Sequence, residues 1–268
     1  MRFARCIRGA PGQQARSGAT TEAWQASSRF SVMQQAPRFD EIVRLHLSPW
    51  IGQEIKVLEA GCGARSPIDF GNRAHVVGLD VDRDAIRRND DLDDAIVGDL
   101  ESYPLPAEAF DIVFCRYVLE HLRNPEHALA NMRQALRSGG WLILIFPNRW
   151  SLKGLVTRLT PHSLHRFGYR VLLGRGFLPC ETRFGSSVSV GGIRNFAESA
   201  DLQVLALEYH PGNFGWLLAK HSPLLGRLWL LSERFAQLLT IGRVSPDRRE
   251  IIAVLADARP RPSSRPSR

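Results

Sequence analysis

The chain has 268 residues, of which 44% are hydrophobic and 23% charged, and its formal net charge is +8. This composition is typical of a soluble globular protein and argues against a fibrous or wholly disordered chain. Four scattered cysteines without a C-x-x-C pair indicate neither a disulfide framework nor a zinc site, which favours a reducing, cytoplasmic compartment. No uncharged apolar run approaches the roughly 18–20 residues of a membrane-spanning helix.

The positive charge is concentrated at the two ends and in the second half of the chain. Residues 1–38 and 257–268 are rich in Arg, lack apolar periodicity and are predicted to be a disordered basic extension and a disordered tail. Met33 is an alternative start, and an Arg- and Ser-rich leader also resembles a mitochondrial transit peptide. Residues 39–148 hold 18 acidic and 11 basic side chains, whereas residues 149–255 hold 7 and 14. We therefore expect the two halves to have different tasks.

Apolar segments of strand type alternate with helical segments in the first half. Strands are predicted at residues 55–59, 75–80, 95–97, 110–115 and 141–146. The last two are nearly continuous apolar runs, which is typical of parallel strands buried on both faces. A helix is predicted from Pro125 to Leu136, capped by Asn124 and ended by Gly139 and Gly140. This alternation predicts an α/β fold with a doubly wound parallel sheet, in which ligands bind at the carboxyl ends of the strands.

The second half has a less regular pattern. Its clearest predicted elements are a helix at 192–200 and strands at 202–209 and 250–256. The last strand ends the folded domain, which we place at residues 39–256. A long insertion at residues 211–248 precedes that strand and contains an apolar stretch from Trp216 to Ile241.

Residues that can bind an adenosine group follow the first three strands. Glu59 stands just before a turn containing Gly61 and Gly63, where the absence of side chains lets the backbone approach a ligand closely. Asp80 ends the second strand about 20 residues later, where a carboxylate can accept hydrogen bonds from both ribose hydroxyls. Asp99 follows the third strand, where it can accept from the amino group of adenine. Each residue alone also fits a simple turn, but together they indicate an adenosine site.

In these segments the chain resembles the class I S-adenosylmethionine-dependent methyltransferases. The matching stretches, in chain order, are V-L-E-A-G-C-G-A, V-V-G-L-D-V-D, V-G-D-L, F-D-I-V-F-C-R and A-L-R-S-G-G-W-L-I-L-I-F-P-N. The resemblance covers residues 39–148 well and 191–256 loosely. It is to methyltransferases of the type 11 and 12 kind, including ubiquinone O-methyltransferases and bacterial enzymes of envelope polysaccharide and lipid pathways.

That resemblance implies a fold and a cofactor. The fold is Rossmann-like, with a doubly wound seven-stranded sheet that is mostly parallel, an antiparallel last strand and helical cover insertions. The cofactor is S-adenosylmethionine, held by residues 39–148. A nicotinamide dehydrogenase is the rival interpretation, but Ser66 occupies the position of its third glycine, and an acid directly ahead of the glycine turn is not usual there.

The resemblance also implies which residues bind the cofactor: Glu59, Gly61, Gly63, Asp80, Val81, Asp99, Leu100 and Arg116. The two glycines would pack under its methionine part, with Glu59 near the ammonium group. Asp80 would bind the ribose and Val81 would flank the adenine. Asp99 and Leu100 would contact the edge of the adenine ring.

The stretch after the fourth strand contains a candidate catalytic residue. In ubiquinone-type O-methyltransferases and small-RNA 3′-end methyltransferases, a similar Glu-x-x-Glu-His stretch binds a divalent metal. Tyr117 stands at the first Glu position here, so one ligand is missing and we expect no metal site. His121 is a candidate base for a hydroxyl acceptor, although a structural or substrate-shaping role stays open. His162 and His165 are further candidates, for which a simple surface position is the alternative.

The basic half is expected to cover the acceptor with residues 149–190 and 211–248. Six cationic side chains there favour an anionic acceptor or an anionic membrane surface: Arg149, Lys153, Arg158, Arg166, Arg170 and Arg175. The apolar stretch within residues 214–241 fits a packed lid, a homodimer helix or an interfacial helix at the inner face of a membrane.

We therefore expect a methyltransferase that acts on a small or lipid-linked acceptor by O-methylation. One alternative is a catalytically inactive regulator that binds the cofactor. Another is a nucleic-acid methyltransferase, whose binding would fall steeply with salt. The sequence after the fourth strand lacks an N-P-P-Y-like motif, which weakens the nucleic-acid alternative.

Overall fold

The computed structural model describes residues 45–259 except for 162, 165–166, 168–179 and 213. The predicted basic extension and most of the predicted tail lie outside the described residues. So do five side chains named above: His162, His165, Arg166, Arg170 and Arg175.

The described residues contain a seven-stranded sheet in the order β3-β2-β1-β4-β5-β7-β6. The strands are β1 (Ile55–Ala60), β2 (Ala74–Asp80), β3 (Asp94–Val97), β4 (Phe110–Arg116), β5 (Leu136–Pro147), β6 (Leu202–His210) and β7 (Glu250–Asp257). Strands β1 to β5 run parallel, and β7 pairs antiparallel with both β5 and β6. The predicted mostly parallel sheet with an antiparallel last strand is confirmed.

Helices flank this sheet, and polar side chains cap four of them. They are α1 (Arg83–Ile86), α2 (Pro125–Ala135), α3 (Leu152–Leu159), α4 (Val190–Ser199), α5 (Phe214–His221) and α6 (Pro223–Leu239). Short 3-10 turns cover Leu119–His121 and Pro246–Arg248. Each of four capping side chains accepts hydrogen bonds from the first backbone N–H groups of its helix: Asp82 for α1, Ser151 for α3, Ser189 for α4 and Ser222 for α6.

The end of α2 differs from the prediction. The helix stops at Ala135 and β5 begins at Leu136, so Gly139 and Gly140 lie inside the strand and do not end the helix. A register shift in the pairing with β4 accommodates them, because Gly139 has a φ of +71° that a glycine adopts without strain. Asn124 occupies the N-cap position of α2 as predicted, but its side chain makes no capping hydrogen bond.

Alternate residues of the central strands face two apolar layers, one on each side of the sheet. Leu58 packs in the layer that includes α2 and α4, whereas Val57 packs in the layer that includes Leu47 and Trp50. Apolar side chains cover both faces of the sheet. The polar side chains of the parallel strands therefore lie at the strand ends.

Candidate functional site

The carboxyl ends of β1, β2, β3 and β4 meet along one edge of the sheet, and the predicted cofactor residues gather there. Gly61 donates its N–H to the carbonyl of Leu79 at 2.7 Å, and Gly98 donates to the carbonyl of Asp80 at 2.9 Å. These bonds join the turns that follow β1 and β3 to the end of β2.

The two predicted glycines differ in their surroundings. Both have positive φ, +80° at Gly61 and +58° at Gly63, which favours glycine. A Cβ added at Gly61 would collide with Cγ2 of Val118, so the loop after β4 packs directly on this turn. A Cβ added at Gly63 would meet no atom within 4 Å. Val118 therefore covers the turn at Gly61, whereas at Gly63 the described residues leave room for a ligand to approach the backbone.

Glu59 lies at this turn as a buried carboxyl group with a 2% exposed surface. Its Oε2 accepts a hydrogen bond of 2.6 Å from the hydroxyl of Ser66, whereas its Oε1 has no hydrogen-bond partner among the described residues. Burial is the main cause that raises the pKa of Glu59 to about 7, and the nearby Arg116 guanidinium opposes that rise. A buried carboxyl oxygen without a partner fits the ammonium group of the cofactor.

Asp80 is held in place by backbone donors on both oxygens. Oδ2 accepts from the N–H of Gly63 at 2.8 Å, and Oδ1 accepts from the N–H of Asp82 at 2.9 Å. Each carboxylate oxygen retains a second lone pair, which is what two ribose hydroxyls require. Val81 is exposed beside Asp80, as an adenine-flanking side chain must be.

Asp99 and Leu100 follow β3 in a tight turn. Oδ1 of Asp99 accepts from the N–H of Glu101 at 2.9 Å, so this side chain also has the simple turn function that the sequence left open. The side chain of Leu100 is buried, and Asn131 donates to its carbonyl at 3.0 Å. Only the backbone N–H of Leu100 therefore suits a contact with adenine. Adenine binding by these two residues stays a prediction.

Tyr117, at the position where related sequences have a metal-binding Glu, closes the end of β4. Its φ is +55°, and its buried hydroxyl hydrogen-bonds with the carboxyl group of Glu250 at the start of β7. Burial and the neighbouring Glu250 raise the pKa of Tyr117 well above its usual value. The guanidinium of Arg116 lies 5.1 Å from the centre of the Tyr117 ring. Within the described ranges, no group of three or more His, Cys, Asp or Glu side chains could hold a metal ion.

Glu120 and His121 form a polar pair in the 3-10 turn after β4. Glu120 is 3% exposed, its Oε2 lacks a hydrogen-bond partner in the part of the chain described, and burial raises its pKa although His121 and Lys153 oppose the rise. Nδ1 of His121 lies 2.8 Å from the carbonyl oxygen of Glu181. Because a carbonyl oxygen only accepts, Nδ1 must carry the hydrogen, which leaves a lone pair on Nε2 in the neutral ring. Nε2 lies 3.7 Å from Oε1 of Glu120.

The first predicted cover segment lies against this loop and also touches the second segment. The N–H of Arg183 donates to the carbonyl of Glu120 at 2.7 Å. Nζ of Lys153 on α3 lies 5.0 Å from the centre of the Phe214 ring on α5. The pair Glu120 and His121 is thus bordered by residues from the first cover segment, and that segment touches the second.

A separate groove of about 1250 Å³ lies between α2 and α4. Both of its arginines already have partners: Arg133 pairs with Asp257 at 3.0 Å, and Arg259 pairs with Glu108 at 2.6 Å. None of the predicted cofactor residues lines it. We therefore place the candidate site at the glycine turn, where a buried oxygen of Glu59 has no hydrogen-bond partner among the described residues.

Sequence reasoning missed three residues that shape the site. Ser66 holds Glu59, Val118 packs on Gly61, and Glu250 binds Tyr117. An isolated Ser, Val or Glu carries no motif, so only the fold could have indicated them.

Comparisons with known proteins find a methyltransferase domain in the part of the chain that carries the predicted cofactor residues. Residues 58–144 match a family model described as a methyltransferase domain. The mitochondrial ubiquinone biosynthesis O-methyltransferase of Schizosaccharomyces pombe is 27% identical over 166 residues, which are 54% of this chain and 60% of that protein. A protein of Mycolicibacterium smegmatis named "Probable S-adenosylmethionine-dependent methyltransferase" is 33% identical over 111 residues, 39% of this chain and 43% of that one. The chain thus spans about half the length of these relatives.

A solved structure extends the likeness of the fold beyond the matched segment. The S-adenosylmethionine-dependent methyltransferase from Mesorhizobium loti superposes with a TM-score of 0.50 and 14% identity. The superposition covers 81% of this chain and 97% of that one. At this identity the match establishes the fold alone.

Proposed function

We propose that this chain, whose residues 58–144 match a methyltransferase domain, is a class I S-adenosylmethionine-dependent methyltransferase that methylates a hydroxyl group of a small or lipid-linked acceptor. The observation that carries the proposal is the 2.8 Å contact between Nδ1 of His121 and the carbonyl oxygen of Glu181, because it leaves Nε2, beside the buried carboxyl group of Glu120, as the proton acceptor of the neutral ring. The relative from Schizosaccharomyces pombe, whose name specifies O-methylation, supports the same acceptor class.

Val118 connects His121 to the cofactor site. The N–H of His121 donates to the carbonyl of Val118 at 2.9 Å, and the side chain of Val118 packs on Gly61. The candidate base therefore lies one short turn from the glycine turn that is assigned to the methionine part of the cofactor. This proximity supports a position of His121 next to the reacting acceptor.

A hydroxyl acceptor must lose one proton as it gains a methyl group. S-adenosylmethionine supplies that methyl group on a sulfonium, whose carbon–sulfur bond breaks with both electrons left on sulfur. Nε2 of His121 takes the acceptor proton, and the carbonyl of Glu181 holds the ring in the tautomer that can do so. An ionised Glu120 would stabilise the imidazolium that forms.

The test is the release of S-adenosylhomocysteine in the presence of matched acceptors. A phenol, an alkyl glycoside and a polyprenol-linked sugar would each be compared with its amine analogue. We expect turnover of at least one hydroxyl acceptor and none of the amines. His121→Gln is expected to lower kcat about a hundredfold or more while the affinity for S-adenosylmethionine is retained.

The matched control is His127→Gln, which removes an exposed histidine from α2 and is expected to leave kcat unchanged. Equal turnover of amines and hydroxyls, or full kcat in His121→Gln, would overturn the proposal. Tight cofactor binding without turnover of any acceptor would favour the inactive regulator.

A further inference from the structure

Helix α6 exposes its most apolar side. We call six of its residues the apolar stripe: Leu224, Leu228, Leu231, Phe235, Leu238 and Leu239. Successive members are three or four residues apart, except that the last two are adjacent. Their exposed fractions range from 52% to 79%. On the opposite side, Gly226 packs against Ala219 of α5, and the buried Glu233 pairs with Arg249. The helix is therefore held to the protein by a small residue, an ion pair and the ring of Trp229, which lies 4.9 Å from that of Phe214 on α5, whereas its apolar stripe stays exposed.

The flank of the apolar stripe is cationic. Arg227 and Arg234 are both exposed and lie on the same side of the stripe at helical spacing. Lys220, near the end of α5, and Arg243, just after α6, are also exposed. The single acidic residue in the sequence from 211 to 246 is Glu233, which is buried. Residues 214–243 consequently offer positive charge with no exposed carboxylate among them, and Asp247 is the next exposed acid along the chain.

Helix α3 and the residues before it have the same character. Trp150 and Leu159 are largely exposed, and the guanidinium groups of Arg149 and Arg158 lie 5.7 Å and 5.2 Å from the centre of a Trp150 ring. The sequence from 149 to 180 contains no acidic residue. Tryptophan and arginine at an exposed apolar surface are typical of the boundary between lipid and water.

We propose that α6 binds the surface of a membrane rich in anionic lipids. The apolar stripe enters the boundary between headgroups and acyl chains, and Arg227 and Arg234 meet lipid phosphates. Among the described residues no helix is long and apolar enough to cross a membrane, so this contact lies in the interface. The proposal does not depend on which acceptor is methylated.

The segment between β6 and β7, which contains α5 and α6, connects this surface to the candidate site. It leaves the sheet after His210 and returns at Glu250, and these two residues pair across β6 and β7. Glu250 also binds Tyr117 at the end of β4. Both ends of the membrane-facing segment thus lie at the sheet edge that carries the candidate site, where a lipid-linked acceptor would have a short path.

A second copy of the chain fits the apolar stripe less well. Two α6 helices packed on each other across a two-fold axis would bring the cationic flanks into one interface without an exposed carboxylate on either helix. Such like-charge contacts are destabilising, whereas lipid phosphates neutralise them.

Flotation of the full chain with phosphatidylcholine vesicles, with and without phosphatidylglycerol, tests the proposal. We expect binding to the anionic vesicles that weakens with added salt. Leu231→Gln combined with Phe235→Gln is expected to weaken binding about tenfold or more, because two apolar side chains no longer enter the lipid. Arg227→Gln and Arg234→Gln are each expected to weaken it about fivefold.

The matched control is Leu205→Gln, which removes an exposed leucine from edge strand β6 and is expected to leave flotation unchanged. Unchanged affinity for S-adenosylmethionine in every variant shows that each remains folded. Absence of flotation by the original chain, or flotation that is equal in all variants, would overturn the proposal. So would a dimer in sedimentation analysis that the double substitution dissociates while no vesicle is bound.

Discussion

The site is tested directly by comparing how cofactor binding depends on pH in Glu59→Gln and in the original chain. The carboxyl group of Glu59 has a pKa of about 7, and we assign its ionised form to the ammonium group of S-adenosylmethionine. When binding of S-adenosylmethionine requires the ionised carboxylate, the affinity falls about tenfold for each pH unit below the pKa and is constant well above the pKa. From pH 8 to pH 6 the dissociation constant should therefore rise about tenfold through this group.

The measurement is the ratio of the dissociation constants of Glu59→Gln and the original chain, by calorimetric titration at pH 6 and pH 8. The ratio cancels the titration of the amino group of the cofactor, which both proteins experience. We expect it to be about tenfold larger at pH 8. The control is Glu54→Gln, because Glu54 is 86% exposed and pairs only loosely with Arg73 at 3.7 Å. A ratio that is the same at both pH values would refute the assignment of Glu59 to the ammonium group.

The same raised pKa has a consequence for stability without cofactor. The folded pKa of about 7 lies above the ordinary value of 4.5, so the stability that this group contributes is present below about pH 4.5 and is lost as pH rises through 7. At pH 8 this pKa difference corresponds to a loss of about 3 kcal/mol in the free energy of unfolding. Urea unfolding should show that Glu59→Gln gains stability relative to the original chain between pH 5 and pH 8. A gain that does not change with pH would show that burial does not raise this pKa.

Three further changes test the site and the fold. Asp80→Ala is expected to weaken binding of S-adenosylmethionine by about 1–3 kcal/mol in a calorimetric titration, because a charge-assisted hydrogen-bond acceptor is lost; unchanged affinity in a folded variant would remove Asp80 from the site. Gly61→Ala is expected to lower the free energy of unfolding by urea more than Gly63→Ala does, because both have positive φ but only the methyl group at Gly61 would collide with a neighbour; equal losses would contradict this. Arg249→Met is expected to cost about 3–5 kcal/mol in the same assay, because it leaves the buried carboxylate of Glu233 without its charge partner; a loss below about 1 kcal/mol would show that Glu233 does not depend on this pair.

The strands of the cofactor half were predictable because their signals are local. Runs such as 110–115 and 141–146 are continuous apolar segments, and the glycines of the first turn follow β1 directly. The adenosine-binding interpretation likewise used spacing along the chain, and it brought Glu59, Asp80 and Asp99 to one sheet edge before any contact was known. The start of β5 was mispredicted, since the Gly139–Gly140 pair has a helix-ending pattern that strand pairing overrides.

The sequence by itself determined the α/β class and placed the predicted cofactor residues at the strand ends, and it predicted different tasks for the acidic and basic halves. Only the tertiary structure decided how the buried polar groups are partnered: Glu59 with Ser66, Tyr117 with Glu250 and Glu233 with Arg249. It also decided that α6 turns its apolar side outward. The physical reason is that periodicity and turn chemistry act between near neighbours in the chain. The partner of a buried carboxyl group, or the side of a helix that is covered, depends on which distant elements the topology brings together.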